Sequence, residues 1–418
     1  MSSNHLFIDP DSPTPTDPPG TGVRGLWQDE SPQQKGTHVR FEVNRDVFSE
    51  AVSFAVKLLP QRTTLPILGG VLIEAGDDSV TLSAFDYESS ARTTIGAAVG
   101  EPGRALVSGR LLADIASRLP AAPVDFSVDG GRVSNRCGAG RFKLLPMPVE
   151  EYPALPELAA AGGLVPGELL ADAIGQVVVA ASRDDVTPVI TGVQLEVGEN
   201  SLSLVATDRY RVAIRDIPWD SADSGIVEAT ALVPARVLAE IGKTFAHSKT
   251  VRIAIAEGGD RELIAFSAED KAVTSLLIKG NYPPVKRLFP QSVEDDAVLS
   301  TSDLVDAVRR VSLVLEREAA LRFSCSPDGL TLEAAGGEQA QASESIDAVL
   351  TGEETVVSLK PQFLIDALGG VHSEFVRLGF TRTDNPNKPG PVLITAQTSG
   401  DTGPSSFRYL LQPNLLLR

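Results

Sequence analysis

The sequence has little of what disulfide-stabilised and metal-binding proteins need. It contains two cysteines, Cys137 and Cys325, in 418 residues, and no CxxC pair. This scarcity excludes a disulfide framework and a cysteine-ligated zinc site, and it predicts buried thiols instead. The four histidines are not at metal-ligand spacing: His5, His38, His247 and His372. We expect neither a metal nor a cofactor.

Long apolar runs are also missing. No stretch approaches the roughly 18 apolar residues that span a bilayer. The first residues lack the basic start and apolar core of a signal peptide. A cytoplasmic protein that does not bind membranes is therefore expected.

Catalytic motifs are absent as well. The sequence has no GxxxxGK[ST], no GxGxxG after a strand, no GxSxG and no HExxH. Asp184 and Asp185 are neighbours, which favours a turn or a helix end, because adjacent strand side chains point to opposite faces. Asp208 recurs as Asp86 in a related stretch, which favours a carboxylate that holds a turn. We predict no catalytic residue; an enzyme that uses these carboxylates stays as one alternative.

Basic residues are outnumbered: 37 Lys and Arg against 55 Asp and Glu give a formal net charge of −18. Taken alone, this argues against nucleic-acid binding, because attraction to phosphate needs basic surface. A binding surface responds to local charge, however, so the total does not decide the question.

The first 38 residues differ from the rest. They are rich in Pro, Ser, Thr and Asp, as in IDPDSPTPTDPPGTG. Such a composition cannot bury a core, and it predicts a disordered extension over residues 1–38.

The remaining chain repeats itself three times. GVLIEAGDDSVTLSAFD (70–86), GVQLEVGENSLSLVATD (192–208) and ALRFSCSPDGLTLEAAG (320–336) align without a gap. Each alternates apolar and polar residues on both sides of a turn, which predicts a β-hairpin. The stretches 105–119, 231–245 and 356–370 also align, each as a short strand followed by an amphipathic helix.

These patterns predict an α+β fold with antiparallel sheets and two helices per repeat on one sheet face. We predict three domains, called repeats 1, 2 and 3, over residues 39–160, 161–295 and 296–418.

Five motifs occur in the order TLPILGG, SAFDYE, VATDRYRVA, NYPPVKRLFP and YLLQP. Together they make the chain from about residue 39 onward resemble the bacterial DNA polymerase III beta subunit, the replication sliding clamp. The resemblance implies a clamp fold and a head-to-tail homodimer. Six domains would form a ring with helices lining the hole and sheets outside. Duplex DNA would thread the hole while the ring tethers the polymerase, without chemistry.

The resemblance also implies which basic residues face DNA. The six segments expected at the hole carry a small net positive charge, in contrast to the rest of the chain. A weakly basic lumen suits a ring that holds DNA without gripping it. The predicted DNA-binding residues are Arg62, Arg110, Arg183, Arg236, Lys243, Lys249, Arg309 and Arg310.

A second implied site is a pocket that receives short peptide segments of polymerase and clamp-loader subunits. Such a pocket needs an apolar floor and a few polar groups. The predicted pocket residues are Ile190, Thr207, Arg209, Tyr210, Arg211, Val212, Pro283, Leu288, Leu410, Gln412 and Pro413. Without the resemblance, Ile190, Val212 and Leu288 would be read as core residues.

Dimer closure is the third implied contact, between domain 1 of one chain and domain 3 of the other. Phe142, Leu313 and Val314 match its apolar positions.

The chain departs from the family near the pocket. Gln412 replaces the usual Met, Leu415 replaces a basic residue, and Lys360 and Phe363 stand where Asn and Tyr are frequent. A buried Gln would cost desolvation unless it is paired. We therefore expect altered partner or inhibitor preference, as in a divergent or second clamp. A three-repeat scaffold that binds proteins without encircling DNA remains the alternative.

Overall fold

One arrangement of strands and helices occurs three times along the chain in a computed structural model of the protein. The structure describes residues 38–59, 65–156, 162–221, 228–256, 262–316, 319–336, 340–383, 389–397 and 405–414. Residues 37–418 form one compact unit. Residues 1–37 lie outside the described part. The predicted disordered extension, apart from His38, and Arg62 also lie outside the described residues.

Repeat 1 has nine strands and two helices among these residues. They are β1 (Val39–Val43), α1 (Arg45–Val56), β2 (Gly70–Ala75), β3 (Ser79–Phe85), β4 (Ser89–Gly96), β5 (Ala98–Glu101), β6 (Gly103–Ser108), α2 (Gly109–Ala116), β7 (Val124–Asp129), β8 (Arg132–Cys137) and β9 (Gly140–Leu144).

Repeat 3 follows the same order, and so does repeat 2, except that no strand corresponding to β5 is described there. Repeat 2 comprises β10 (Gly163–Val165), α3 (Gly167–Val178), β11 (Gly192–Val197), β12 (Ser201–Thr207), β13 (Arg211–Pro218), β14 (Ala229–Pro234), α4 (Ala235–Phe245), β15 (Val251–Ala256), β16 (Leu263–Ala268) and β17 (Lys271–Leu276). Repeat 3 comprises β18 (Asp295–Ser300), α5 (Thr301–Val311), β19 (Leu321–Ser326), β20 (Gly329–Gly336), β21 (Ala340–Ile346), β22 (Val349–Thr351), β23 (Thr355–Leu359), α6 (Pro361–Gly369), β24 (Phe375–Phe380), β25 (Val392–Gln397) and β26 (Phe407–Leu411). Short 3₁₀ turns cover Pro66–Gly69, Val149–Glu151, Pro188–Thr191, Val285–Leu288 and Ser312–Val314.

The three predicted hairpins are confirmed. Antiparallel pairing joins β2 to β3, β11 to β12 and β19 to β20. The three predicted strand–helix units are confirmed as β6–α2, β14–α4 and β23–α6. The predicted α+β class with antiparallel sheets is therefore correct.

Two of the described helices, α1 and α5, begin at a side-chain cap. Asn44 caps α1, because its Oδ1 accepts from the backbone N–H groups of Asp46 at 2.9 Å and Val47 at 3.3 Å. Ser300 caps α5 by accepting from the Asp303 N–H at 3.3 Å. A side-chain oxygen at this position satisfies N–H groups that the first helical turn leaves without a partner.

Two of the four sheets cross the boundaries between repeats. The eight-stranded sheet has the order β10-β15-β16-β17-β4-β3-β2-β6, so β17 of repeat 2 pairs with β4 of repeat 1. The nine-stranded sheet has the order β14-β11-β12-β13-β26-β25-β24-β18-β22, so β13 of repeat 2 pairs with β26 of repeat 3. We call these contacts junction 1–2 and junction 2–3.

The other two sheets belong to the outer repeats. Repeat 1 contributes the order β5-β1-β7-β8-β9, and repeat 3 contributes β21-β20-β19-β23. Strand β9 is the last of the first sheet and β21 the last of the second. Each of these strands therefore has one open edge in the described part of the protomer.

Helices pack in pairs against the sheets, as predicted. Helices α1 and α2 contact each other, as do α3 with α4 and α5 with α6. In repeat 1, Phe48 of α1 is fully buried with Phe41 and Phe126 of the sheet, whose rings stack at 4.9 Å. Phe54 of α1 packs instead into the core that continues through repeats 2 and 3. Among the described residues, no helix is long and apolar enough to cross a membrane.

Candidate docking pocket and nucleic-acid surface

A cavity of about 430 Å³ opens at junction 2–3, on the sheet face away from the helices. It is lined by Thr187, Val189, Ile190, Thr207, Arg209, Tyr210, Arg211, Val212, Asn281, Pro283, Val285, Leu288, Pro391, Leu410 and Gln412. The structure thus brings together all the predicted pocket residues except Pro413, which is buried beside Gln412.

The floor of this pocket is apolar. Val212 of β13 lies opposite Leu410 of β26, and both pack with Val205, Ile214 and Val285. Because the two strands come from different repeats, the floor exists only where repeats 2 and 3 meet. Such a surface can receive aliphatic and aromatic side chains.

The rim is formed by the turn between β12 and β13. The Asp208 Oδ1 accepts from the backbone N–H groups of Tyr210 at 3.0 Å and Arg211 at 3.1 Å. This confirms Asp208 as a carboxylate that holds a turn. Arg209 has a positive φ of 79°, and its guanidinium donates to the Thr187 hydroxyl. Tyr210 is left 58% exposed and Leu288 59%, so the mouth of the pocket has accessible apolar surface.

Arg211 points to the opposite, helix-covered face and ties three elements together. Its Nε donates to Asp208 Oδ2 at 2.8 Å, and its NH1 donates to Asp366 Oδ2 of α6 at 2.6 Å and to the Tyr409 hydroxyl at 3.0 Å. The guanidinium carbon lies 4.2 Å from the ring centroid of Phe363. Burial acts to lower the pKa of Arg211, but Tyr409 and the carboxylates of Asp366 and Asp208 raise it above its ordinary value. The buried group is therefore charged and compensated.

The departures from the family pattern are tolerated for simple reasons. Lys360 places its Nζ 5.8 Å from the ring centroid of Tyr210 and 5.5 Å from that of Phe363, a cation–π arrangement. The side chain of Gln412 is exposed, and its backbone N–H donates to the Tyr210 carbonyl at 2.8 Å. The expected desolvation cost of a Gln at this position therefore does not arise. Leu415 lies outside the described residues.

Sequence reasoning missed five of the lining residues. Asn281 and Val285 belong to the quoted NYPPVKRLFP motif and could have been included. Thr187 and Val189 come shortly before Ile190 in the segment that precedes the second hairpin, as TLPILGG precedes the first. Pro391 lies in a part of repeat 3 where no motif marked it.

Repeat alignment shows that the apolar floor of this pocket is not repeated in the described part of junction 1–2. Ser83, Ser90 and Thr274 stand where Val205, Val212 and Leu410 form the floor at junction 2–3. The Ser90 and Thr274 hydroxyls hydrogen-bond each other at 2.6 Å and are buried.

The described residues predicted to face DNA are all exposed basic side chains in or beside helices. Arg110 and Arg236 lie in the first turns of α2 and α4, and Arg183 follows α3. Lys243 lies in the last turn of α4 and Lys249 follows that helix, while Arg309 and Arg310 lie in the last turn of α5. Neighbouring carboxylates partner some of them. Lys243 pairs with Glu240 at 2.8 Å.

Arg310 is engaged differently from the others. It forms a bidentate pair with Glu344 of β21, at 3.1 Å and 2.5 Å. The hydrogen bond from Arg310 lowers the pKa of Glu344. Arg310 is thus directed to the open edge of repeat 3, where its charge is neutralised.

The predicted dimer residues lie at the two open edges. Phe142 is on β9 and is half-buried against the core of repeat 1. Leu313, which is 84% exposed, and the half-buried Val314 lie in the 3₁₀ turn that packs beside β20 and β21.

The other residues considered for catalysis or metal binding have contacts typical of structural roles. Asp184 accepts from the Val186 N–H at 3.0 Å, as expected of a turn. Cys137 and Cys325 are buried free thiols, and burial raises the pKa of Cys325 to about 12. Among the described residues, no cluster of three or more histidine, cysteine or acidic side chains could hold a metal.

Comparison with known proteins agrees with this arrangement. Family models of the DNA polymerase III beta subunit match residues 39–156 (N-terminal domain), 164–284 (central domain) and 286–396 (C-terminal domain). The beta sliding clamp of Streptomyces coelicolor is 41% identical over 377 residues, which cover 90% of this chain and 99% of that protein. The beta sliding clamp homolog GriR of Streptomyces muensis is 37% identical, with coverage of 90% and 99%.

The solved DNA polymerase sliding clamp of Bacillus subtilis superposes with a TM-score of 0.83 at 28% identity, covering 91% of this chain and 100% of that one. Three matched domains and near-complete coverage of these relatives lead to one conclusion: the chain belongs to the bacterial DNA polymerase III beta subunit family, the beta sliding clamps.

Proposed function

We propose that two copies of this chain close head to tail into a ring that encircles duplex DNA and tethers the replicative polymerase. The chain then acts as a processivity factor, by topology rather than by catalysis, in the cytoplasm where a bacterial chromosome is copied. We also propose the domain bounds 39–160, 161–295 and 296–418.

One observation supports this proposal: the two strands with open edges occupy the same positions in their repeats as the strands that pair at junctions 1–2 and 2–3. At junctions 1–2 and 2–3, the strand that follows the first hairpin of one repeat (β4 or β13) pairs with the last strand of the next repeat (β17 or β26). By position in the repeat, β21 corresponds to β4 and β13, and β9 corresponds to β17 and β26. A third junction of the same kind would pair β21 with β9 of a second chain.

The repeat also gives the register of that third junction. Ala91 lies opposite Val273 at junction 1–2, and Ala213 lies opposite Tyr409 at junction 2–3. The equivalent residues of the outer repeats are Ala342 of β21 and Phe142 of β9. Both are half-buried in the protomer, and pairing would finish their burial.

Closure also removes two liabilities. Open strand edges invite uncontrolled pairing, and Leu313 exposes a large apolar side chain beside one of them. A head-to-tail contact between two copies of a three-repeat chain closes after six repeats, so both edges are used.

The surfaces described above then acquire their roles. The exposed basic side chains in and beside the helices contact phosphates without reading sequence, and a chain with a net charge of −18 holds DNA loosely enough to slide. The pocket at junction 2–3 receives apolar anchors of short segments from polymerase and clamp-loader subunits.

The first experiment is the solution mass of the full chain by light scattering. A value near twice 44.1 kDa supports the ring. Linear DNA is then circularised by ligation in the presence of the protein. A ring should remain on the closed circle during gel filtration and leave it after one restriction cut.

The double variant Leu313→Ala with Val314→Ala serves as the control, and it should be monomeric and not retained. Release that ignores DNA topology would favour the protein-binding scaffold.

A further inference from the structure

The two junctions inside the protomer have the same backbone connections. Five residue pairs join β17 to β4, from Lys271 to Ser275, and five join β26 to β13, from Phe407 to Leu411. Each ladder is extended by an equivalent bond. The Leu276 N–H donates to the Glu88 carbonyl at 2.7 Å, and the Gln412 N–H donates to the Tyr210 carbonyl at 2.8 Å. The backbone alone therefore does not make one junction stronger than the other.

Side chains fill junction 2–3 on its helix-covered face. Arg211 reaches from β13 to Asp366 of α6 and Tyr409 of β26, with the Phe363 ring beneath it. Gln176 of α3 adds a hydrogen bond from its Nε2 to the Gly370 carbonyl at 2.7 Å. A displacement of repeat 3 against repeat 2 would break several buried polar contacts at once.

Junction 1–2 has different residues at the matching positions. Ser89 stands where Arg211 does, Leu238 where Phe363 does, and Ala235 where Lys360 does. The Ser89 hydroxyl reaches only to Asp86 of its own turn, at 3.2 Å.

A cavity of about 740 Å³ lies in this place. Its walls include Ser89, Val178, Ala181, Ala235, Ala239 and Leu276. The described side-chain contacts across junction 1–2 lie elsewhere: Lys271 of β17 pairs with the exposed Glu50 of α1 at 2.5 Å, and Phe54 of α1 packs into the core of repeat 2. The place that the buried Arg211 network occupies at junction 2–3 is open at junction 1–2, so packing there opposes movement less.

We propose that junction 1–2 is the deformable joint of the protomer and that junction 2–3 is a rigid one. When the protomer bends, repeat 1 moves against repeats 2 and 3, and the cavity changes its volume.

A rigid junction 2–3 preserves the shape of the docking pocket. Its floor is made of Val212 from repeat 2 and Leu410 from repeat 3, so its shape depends on junction 2–3 staying in register. Strain from opening a ring would be taken up at junction 1–2, which leaves the pocket intact. That purpose rests on the proposed ring, whereas the difference in rigidity does not.

Amide hydrogen exchange of the full-length protein tests the proposal. After correction for intrinsic rates, amides of β17 (271–276) should exchange at least tenfold faster than those of β26 (407–411). Arg211→Ala should accelerate β26 and leave β17 unchanged. Equal protection of the two strands in the unaltered protein would overturn the proposal.

A disulfide across the joint gives a second test that does not depend on the stability of the Arg211 variant. Ser90→Cys with Thr274→Cys places two thiols where the hydroxyls are 2.6 Å apart across junction 1–2. Oxidation should slow exchange in β17 to the level of β26.

The matched control is Thr81→Cys with Thr94→Cys, whose hydroxyls are 3.0 Å apart within repeat 1. Its oxidation should leave β17 unchanged. If both disulfides protect β17 equally, or neither does, the joint is not at junction 1–2. Light scattering of the same samples tells this outcome apart from failure to form the ring.

Discussion

Arg211 and Asp366 are separated by 155 residues in sequence, and their side chains meet at 2.6 Å across the boundary of two repeats. The same arginine follows the turn that presents Arg209 and Tyr210 to the docking pocket. The position of the pocket rim is thus fixed from the far side of the sheet, by a contact between repeat 2 and α6 of repeat 3.

Replacing Arg211 should lower the stability of the folded protein. Arg211→Ala leaves the carboxylates of Asp208 and Asp366 close together without a compensating charge. We expect the free energy of unfolding to fall by about 3 kcal/mol, as for other broken buried ion pairs. Urea denaturation measures this. The surface pair of the exposed Arg104 and the half-buried Glu74, at 2.9 Å, is the control, because Arg104→Ala should cost less than about 1 kcal/mol. Similar losses in both variants would contradict the assigned role.

The register of the third junction can be tested by cross-linking. Phe142→Cys with Ala342→Cys should yield a disulfide-linked dimer under mild oxidation, because opposite residues of paired strands have the close Cα separation that a disulfide needs. Non-reducing electrophoresis detects it. Lys143→Cys with Ala342→Cys is shifted by one residue and points to the other face, so it should stay uncross-linked. Efficient linkage of the shifted pair would refute the register.

The departure at Gln412 makes a prediction about affinity. Its side chain lies exposed at the rim of the pocket, so Gln412→Met adds apolar contact without removing a buried hydrogen bond. A synthetic peptide with a leucine–phenylalanine anchor should bind roughly fivefold tighter, from about 1 kcal/mol of added burial. Fluorescence anisotropy measures this. Gln194→Met, outside the pocket, should have no effect, and equal affinities for all three proteins would remove Gln412 as a determinant.

Removing basic side chains from the proposed DNA surface should change how strongly DNA binding depends on salt. Arg236→Ala with Lys249→Ala should reduce the slope of log affinity against log salt by about 2, since each lost phosphate contact removes about one released counterion. Binding to a duplex is measured over a range of salt concentrations. Arg132→Ala with Arg136→Ala removes two exposed charges from β8 and is the control. An equal change in both variants would mean that the total charge, not the helix-borne residues, governs binding.

Alkaline pH should destabilise the protein through its buried tyrosines. Tyr152 accepts the Phe85 N–H at 2.7 Å, and burial raises the pKa of its hydroxyl to about 12. Burial also raises the pKa values of Tyr282 and Tyr409. In the unfolded chain a tyrosine ionises near pH 10. The stability that neutral Tyr152 contributes is therefore present below pH 10 and lost as the pH rises from 10 to 12.

Denaturant midpoints at pH 9 and pH 11.5 measure this loss. Tyr152→Phe should show a smaller fall between the two values than the unaltered protein. An unchanged fall would assign the alkaline transition to other groups.

Local patterns predicted the elements of this fold well. The hairpins at 70–86, 192–208 and 320–336 could be predicted because the alternation of apolar and polar residues and the turn residues act over a few neighbouring positions. The turn role of Asp208 followed from its recurrence as Asp86. The pocket and interface residues came from the resemblance to a family rather than from such patterns.

What the sequence could not determine lies between the repeats. Ser89 and Arg211 occupy matching positions in the β3–β4 and β12–β13 hairpins, yet Ser89 borders a cavity whereas Arg211 contacts Asp366 of the next repeat. That difference depends on which helix and strand of the next repeat pack against each residue. The spacing of residues in the sequence does not show which elements these are.

By itself, the sequence determined three copies of a strand-rich unit with two helices each, because hydrophobic periodicity and turn chemistry are local. Only the tertiary structure decided that the repeats share sheets, that β9 and β21 have open edges in the described part of the chain, and that an apolar pocket forms at junction 2–3. Those features come from burial and charge compensation between residues more than a hundred positions apart, which only the folded chain brings into contact.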